Sequence, residues 1–330
     1  MTEASQTSTL QLRFVGRLLI ACLTVTGLFE IVALSLKNVP LQRHPMDYLI
    51  TRIETHTIDA DVVVMGDSVT KTVVDWHDIG PSVANLTDNR SSGVIGMKFV
   101  LTRYLARNAP PRLIYVAVTP ESITYVPVDS FDFFVGSVFK SPDERSWLRK
   151  HVPEYDQRNR TTAIFDAKQR VAQPLFWAAR AVSPSRPATD GLHKTDVIVE
   201  LEGEEGRFVA PSALLGRLDH ALVLGPAAAQ AMADLCQEAR GSGARLVLAW
   251  APTPESVYEG WRRQSQLLAF QTSITTLHDR ACAGIEFYDF NVDLSYPDHA
   301  FKDPEHLRRP GWTALYGREL RRQITEALAQ

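Results

Sequence analysis

A serine, a histidine and a carboxylate held in line can turn an unreactive hydroxyl into a nucleophile. This chain carries candidates for all three, far apart in sequence. Near the start, Asp61-Val62-Val63-Val64-Met65 runs into Gly66-Asp67-Ser68-Val69-Thr70. Near the end, Phe301-Lys302-Asp303-Pro304-Glu305-His306-Leu307 precedes Arg308-Arg309-Pro310-Gly311-Trp312 and a helical tail. The β-branched run is too short for a helix and reads as a buried strand of a parallel sheet. It would leave Ser68 on a tight turn at the strand's carboxyl end, the edge where open α/β sheets bind ligands. His306 is the candidate general base. Asp303 is the carboxylate that would fix its tautomer from the other ring nitrogen. Each piece alone has a plainer reading. An Asp-Ser pair suits a turn or a helix N-cap, and Asp303 with His306 suits a local cap and surface pair. Together the pieces favour the catalytic reading. His77, His193 and His278 lack a paired acid in a comparable setting, and His77 is the spare candidate.

A strand-end Gly-Asp-Ser with Asp-x-x-His just before the last helix resembles the SGNH (GDSL-type) hydrolases, over roughly Asp61 to the C-terminus. The resemblance implies a doubly wound, mostly parallel sheet flanked by helices, a flavodoxin-like three-layer arrangement. It also implies a Ser68–His306–Asp303 triad. The family adds two oxyanion donors to the nucleophile's own N–H: a glycine N–H after the second strand and an asparagine side chain after the third. Gly93 is the candidate glycine here, although Arg90 competes for that place. Val118-Thr119-Pro120-Glu121 stands where Gly-x-Asn-Asp is expected, so the asparagine is missing. Losing one such donor costs about 10²–10³ in rate. Asn89 or the Thr119 hydroxyl is the candidate substitute. A loop of this kind, with an anchor, is similar to that of membrane-tethered, exported members that O-acylate bacterial cell-surface polymers.

The elements that must position these residues follow the rhythm of strand, loop and helix. Strands are expected at Val83–Leu86, Arg112–Val118, Arg245–Trp250 and Ile285–Asp289. Helices are expected at Met46–Thr55, Ile95–Ala106 (capped by Ser91 or Ser92), Pro226–Arg240, Glu259–Ala281 and Thr313–Leu328. Past Ser68 a helix or turn should run through Val73 to Ile79. Between Glu121 and Leu222 the rhythm breaks. Aromatics cluster there at Phe131, Phe133, Phe134, Phe139 and Trp147, then Tyr155, Phe165, Phe176 and Trp177, and Val197–Val209 looks like a hairpin. This is an expected insertion over the active face, its aromatics read as a small core of its own rather than a sugar platform. Trp250-Ala251-Pro252-Thr253-Pro254 is expected to wall the site.

Residues 1–40 are expected to be a tail and signal anchor, and 41–330 the catalytic domain. Leu18–Leu36 is almost wholly apolar, near the roughly 20 residues that span a bilayer. Arg13 and Arg17 precede it, Lys37 follows it and Glu30 interrupts it. An uncleaved anchor is preferred over a signal peptide ending at Ala33-Leu34-Ser35. Both readings export the remainder, with the inner-membrane anchor placing it in the periplasm. The chain has 330 residues, 45% hydrophobic and 22% charged, which argues against wholesale disorder. A net charge of −3 gives no electrostatic reason to expect nucleic acid. Three cysteines are too few for a disulfide scaffold. Cys236 and Cys282 sit in two helical stretches that each precede a strand, so they could pair in an oxidising compartment.

No phosphate loop, dinucleotide fingerprint or metal-ligand spacing appears, so neither metal nor cofactor is expected. The expected activity is that of a serine esterase or O-acyltransferase acting on acyl esters, acetyl first among them, of a polysaccharide. A transferase would need a multispanning membrane partner to deliver the acyl donor. The competing reading is a catalytically weak SGNH-like domain that binds polysaccharide or scaffolds an export complex. An unrelated flavodoxin-like domain with chance motifs is the third; it requires Ser68 and His306 to lie far apart.

Overall fold

Val62–Gly66 forms β1, fully buried along its length, as expected for a β-branched run with both faces covered. The computed structural model describes residues 14–25, 28, 45–73, 82–87, 93–124, 138, 139, 141–152, 155, 214, 217, 218 and 221–330. β2 (Val83–Asn85), β3 (Leu113–Val118), β4 (Arg245–Trp250) and β5 (Glu286–Asp289) complete one sheet in the order β2-β1-β3-β4-β5. Every pairing is parallel. The order reverses between β1 and β3, which makes the crevice above their carboxyl ends the natural ligand site.

Strand side chains alternate between two cores. Val63, Met65, Ile114, Val116, Val118, Leu248 and Trp250 enter one. Val62, Val64, Leu113, Tyr115, Ala117, Val247 and Ala249 enter the other. The first face is covered by α1 (Pro45–Thr55), α3 (Gly93–Leu105) and α6 (Pro226–Gly241). Helix α2 (Ser68–Lys71) is the single turn after β1. Helices α4 (Pro120–Thr124) and α5 (Pro142–His151) follow β3. In α6 the buried Ala227, Ala228, Ala231, Leu235 and Ala239 recur at helical spacing, so small side chains let its backbone lie close to the sheet. The second face is closed by the C-terminal helix α10 (Gly311–Ala329), through Tyr316, Leu320 and Ile324.

The expected boundaries hold to within a residue or two for most elements, with one exception. In place of one helix over Glu259–Ala281 there are two, α7 (Glu255–Arg263) and α8 (Gln266–Thr275). Ser265 between them takes a left-handed φ of 56°. The second helix ends in the β-branched run Ile274-Thr275-Thr276, and His278, Asp279 and Arg280 are all left-handed. Helix propensity falls in such a run and leaves the turn to win. A single helical turn, α9 (Phe290–Asp293), follows β5.

Helix α5 lies inside the expected insertion. Ser141-Pro142-Asp143-Glu144 starts it with a full capping box, a signal legible in the sequence. Phe139 and Trp147 do not form a separate core. Both pack on Phe99 of α3, with ring centroids 4.9 and 5.5 Å away, and Phe139 and Tyr155 belong to the main core. The remaining insertion aromatics and the expected hairpin lie outside the described residues. Cys236 and Cys282 form a disulfide that ties α6 to the turn before β5 across 46 residues. Closing a loop of that length stabilises by about 4 kcal/mol in the chain-entropy treatment.

The chain divides into two units, Met1–Arg43 with Gln157–Ala188 and His44–Asp156 with Thr189–Gln330; the sheet belongs to the second. In the first, residues 14–25 are helical, and Phe14, Val15, Leu18, Leu19, Ile20, Leu23 and Val25 are exposed. Among the described residues no helix is long and apolar enough to cross a membrane. Most of the expected span, Leu18–Leu36, lies outside the described residues.

Candidate active site

The serine is placed by the way β1 ends. A side chain at Gly66 would bring a Cβ within 2.5 Å of the Ala117 carbonyl oxygen and 2.8 Å of Thr70 Cβ. Only glycine lets β1 turn this close to β3. Asp67 then caps α2, its Oδ1 accepting the N–H groups of Val69 and Thr70 at 3.0 and 3.4 Å. Its Oδ2 reaches across to the loop after β3. There it accepts the Thr119 N–H at 2.8 Å, the Thr119 hydroxyl at 3.0 Å and the Ser122 hydroxyl at 2.7 Å. Five donors therefore converge on one carboxylate that is 1% exposed. Thr70 donates its hydroxyl to the Ala117 carbonyl at 2.7 Å, so Tyr316 of α10 must donate to Thr70 at 2.9 Å. Burial pushes the Tyr316 phenol well above its ordinary range, which keeps it a donor. Ser68 itself is only half-buried, with its hydroxyl left for other work.

The histidine comes from the loop before α10. Phe301 and Leu307, both buried, pair as an antiparallel bridge, with the Lys302 N–H donating to the His306 carbonyl. Residues 302–306 thus form a tight loop whose two ends are pinned in the core. Inside it Asp303 Oδ1 accepts the N–H groups of Glu305 and His306 at 2.8 and 2.7 Å. The same carboxylate takes His306 Nδ1, at 2.9 Å to Oδ2 and 3.0 Å to Oδ1. On the far side of the ring, His306 Nε2 lies 2.8 Å from Ser68 Oγ. With Nδ1–H donating to Asp303, Nε2 is free to accept the serine proton. Burial by itself would raise the Asp303 carboxyl. The hydrogen bond and charge of His306, with the two backbone N–H groups, outweigh burial and hold it below its ordinary value.

The structure thus brings together Ser68, His306 and Asp303, which are 238 and 3 residues apart in sequence. The candidate oxyanion donors fare differently. Gly93 begins α3 in a left-handed conformation, φ 52°, and is buried. Asn89 lies outside the described residues, as do His77 and His193. The Thr119 hydroxyl is turned to Asp67 rather than to Ser68, and so is that of Ser122. The loop after β4 lies at the same edge of the sheet. Its Thr253 N–H donates to Asn291 Oδ1 at 2.7 Å, and Asn291 Nδ2 donates to the Ala251 carbonyl at 3.1 Å. Among the described residues no group of three or more His, Cys, Asp or Glu is placed to hold a metal ion.

Two features escaped the sequence reading. The first is Asp67 as the clasp between the two strand-end loops; only the capping half of that role is visible locally. The second is Arg217, whose guanidinium reaches Glu121 and the Pro304 carbonyl; a lone arginine inside the insertion gave no signal. The chain matches no protein-family model, and no curated protein gives a significant match.

Proposed function

We propose that the chain is a serine esterase or O-acyltransferase. The observation that carries this is the unbroken line from Ser68 Oγ through both nitrogens of His306 to the Asp303 carboxylate. In this reading Ser68 Oγ attacks the acyl carbonyl carbon while its proton passes to His306 Nε2. Asp303 stabilises the imidazolium that results. The Ser68 backbone N–H, with the N–H of Gly93, would face the oxyanion. Collapse of the tetrahedral intermediate breaks the ester C–O bond, and His306 returns the proton to the departing alcohol. Water or a sugar hydroxyl then repeats the sequence on the acyl-enzyme, giving hydrolysis or transfer.

The resemblance to SGNH hydrolases supports this chemistry and points to acetyl esters of an exported polysaccharide as substrate. The exposed apolar residues of the helical stretch over 14–25 suit contact with lipid, in line with an anchor at the inner membrane and a periplasmic domain. The Cys236–Cys282 bond fits the same oxidising compartment. A transferase would draw its acyl donor from a multispanning partner. One observation favours the second reading, a polysaccharide-binding or scaffolding subunit: both hydroxyls of the loop after β3 are turned to Asp67, and no amide side chain stands there.

The deciding experiment is turnover of an activated acetyl ester by the full chain beside Ser68→Ala. The esterase or transferase reading expects hydrolysis that the substitution abolishes, after which a sugar acceptor separates the two outcomes. Absence of turnover in folded wild-type protein would move the assignment to the binding subunit.

A further inference from the structure

Glu121 and Arg217 form an ion pair in the interior, their side chains 1% and 9% exposed. Arg217 Nε donates to Glu121 Oε1 at 2.6 Å, and Nη2 lies 2.5 Å from the same oxygen. The third nitrogen, Nη1, donates to the backbone carbonyl of Pro304 at 2.5 Å. Pro304 sits between Asp303 and His306, so the arginine grips the loop that presents the base. The guanidinium also lies 5.4 Å from the Trp261 ring centroid. Its chain neighbour Leu218 packs so closely on Gly260 that a Cβ there would come within 2.4 Å of Leu218 Cδ2. Glu121 lies between Thr119 and Ser122, the two residues that Asp67 holds.

These contacts close a ring. It runs from the serine turn through Asp67 to the loop after β3, from Glu121 through Arg217 to Pro304, and back through His306 to Ser68. Buried ion pairs are costly to assemble and weak evidence for stability. A planar fork that meets a carboxylate and a carbonyl at once supplies geometry instead. We propose that Arg217 is a positioning residue: it sets the His306 loop at hydrogen-bonding distance from Ser68 and ties that distance to the strand end carrying Asp67's partners. The expected insertion thereby contributes to the chemistry without touching substrate. This rests on the esterase or transferase reading above.

The test uses the full chain and a fluorophosphonate, which reports activation of Ser68 without needing the natural substrate. Ser68 Oγ displaces fluoride from phosphorus as its proton passes to His306 Nε2. Two variants are compared, Arg217→Lys and the double variant Arg217→Met with Glu121→Gln. Lysine keeps the charge but offers one ammonium where the fork spans two acceptors. The double variant removes both buried charges together, so neither is left unpaired. Both should unfold at near wild-type temperatures, yet label Ser68 about ten- to a hundredfold more slowly, as a displaced base requires. With an acetyl ester kcat should fall by the same factor while KM changes less than about twofold. Folded variants that label at the wild-type rate would overturn the proposal. So would unfolding of both variants, which would make the pair a requirement of the fold. Failure of the underlying reading shows itself separately, as folded wild-type protein that does not label at all.

Discussion

The two halves of the candidate site are built by opposite means. The serine turn is held by the sheet. Gly66 lies against the Ala117 carbonyl, Asp67 gathers donors from two loops, and Thr70 is locked between Ala117 and Tyr316. Its fixing contacts span 47 to 246 residues of sequence. The histidine loop is held mainly by itself. Asp303 accepts the backbone N–H groups of Glu305 and His306 and holds the imidazole, and the bridge between Phe301 and Leu307 closes the loop over a six-residue span. Arg217 adds a contact from far away, to the Pro304 carbonyl. Ser68 is therefore fixed by contacts with the sheet. His306 sits on a local structure that packs on the core and is partly open to solvent, with the Asp303 side chain 38% exposed. Substitutions in the two halves should fail differently.

The largest effect belongs to the histidine loop. Asp303→Asn keeps an oxygen for the Glu305 and His306 N–H groups, so the loop keeps its shape and the unfolding temperature should hardly move. The amide cannot stabilise an imidazolium and favours the wrong tautomer. Activity on an acetyl ester should drop by about 10³–10⁴ in kcat, with KM near wild type. A drop in thermal stability that accounts for the lost activity would contradict the view of this loop as chemistry mounted on an independent frame.

The serine half should show the reverse. Asp67→Asn retains the Val69 and Thr70 caps on its oxygen but turns an NH₂ toward the Thr119 N–H. The Thr119 and Ser122 hydroxyls can rotate to accept; the backbone N–H cannot. One buried donor then faces another, which costs about 1–3 kcal/mol. Denaturant unfolding should register that loss, and kcat should fall by no more than about tenfold. If stability is unchanged while activity vanishes, Asp67 acts on substrate and the division between the halves is wrong.

The same division decides what the sequence disclosed. The histidine loop was readable because its contacts are local, so Asp-x-x-His before a final helix carries most of its own structure. The strand into Ser68 was readable from its β-branched run, and Gly66 from its place in the motif. Asp67 was half-readable: a cap two residues long is a local event, but Thr119 and Ser122 approach it only once β1 and β3 lie side by side in parallel register. The contact of the Thr119 hydroxyl with Asp67 is invisible in the sequence for the same reason, since the two residues are 52 apart. In the sequence Phe139 and Trp147 read as a separate small core because an insertion is expected to pack on itself; their partner, Phe99, belongs to a helix 40 and 48 residues earlier. The break at Ser265 came from a left-handed residue that helical periodicity does not mark.

The smallest effect, and the finest test of the comparison, is the response of the histidine loop to acid. The Asp303 carboxyl lies below its ordinary value because, against the cost of burial, the hydrogen bond and charge of His306 and the N–H groups of Glu305 and His306 favour the charged form. A carboxyl depressed in the folded state contributes stability that is fully present above its unfolded value, about 3.9. That contribution is lost only as pH falls through the lower folded value. Between pH 7 and pH 5 Asp303 should stay charged in folded and unfolded chains alike, so its share of stability should be flat there. A carbon-detected titration of the Asp303 carboxyl should place its midpoint below 3.9 in the wild type. In His306→Gln the midpoint should climb, because burial still opposes the charged form while only the N–H groups of residues 305 and 306 remain to favour it. A wild-type midpoint at or above 3.9 would mean that the imidazole is not held by this carboxylate in solution. The histidine loop would then need more support from the rest of the molecule than its own hydrogen bonds supply, and the Arg217 contact to Pro304 would be the first place to look for it.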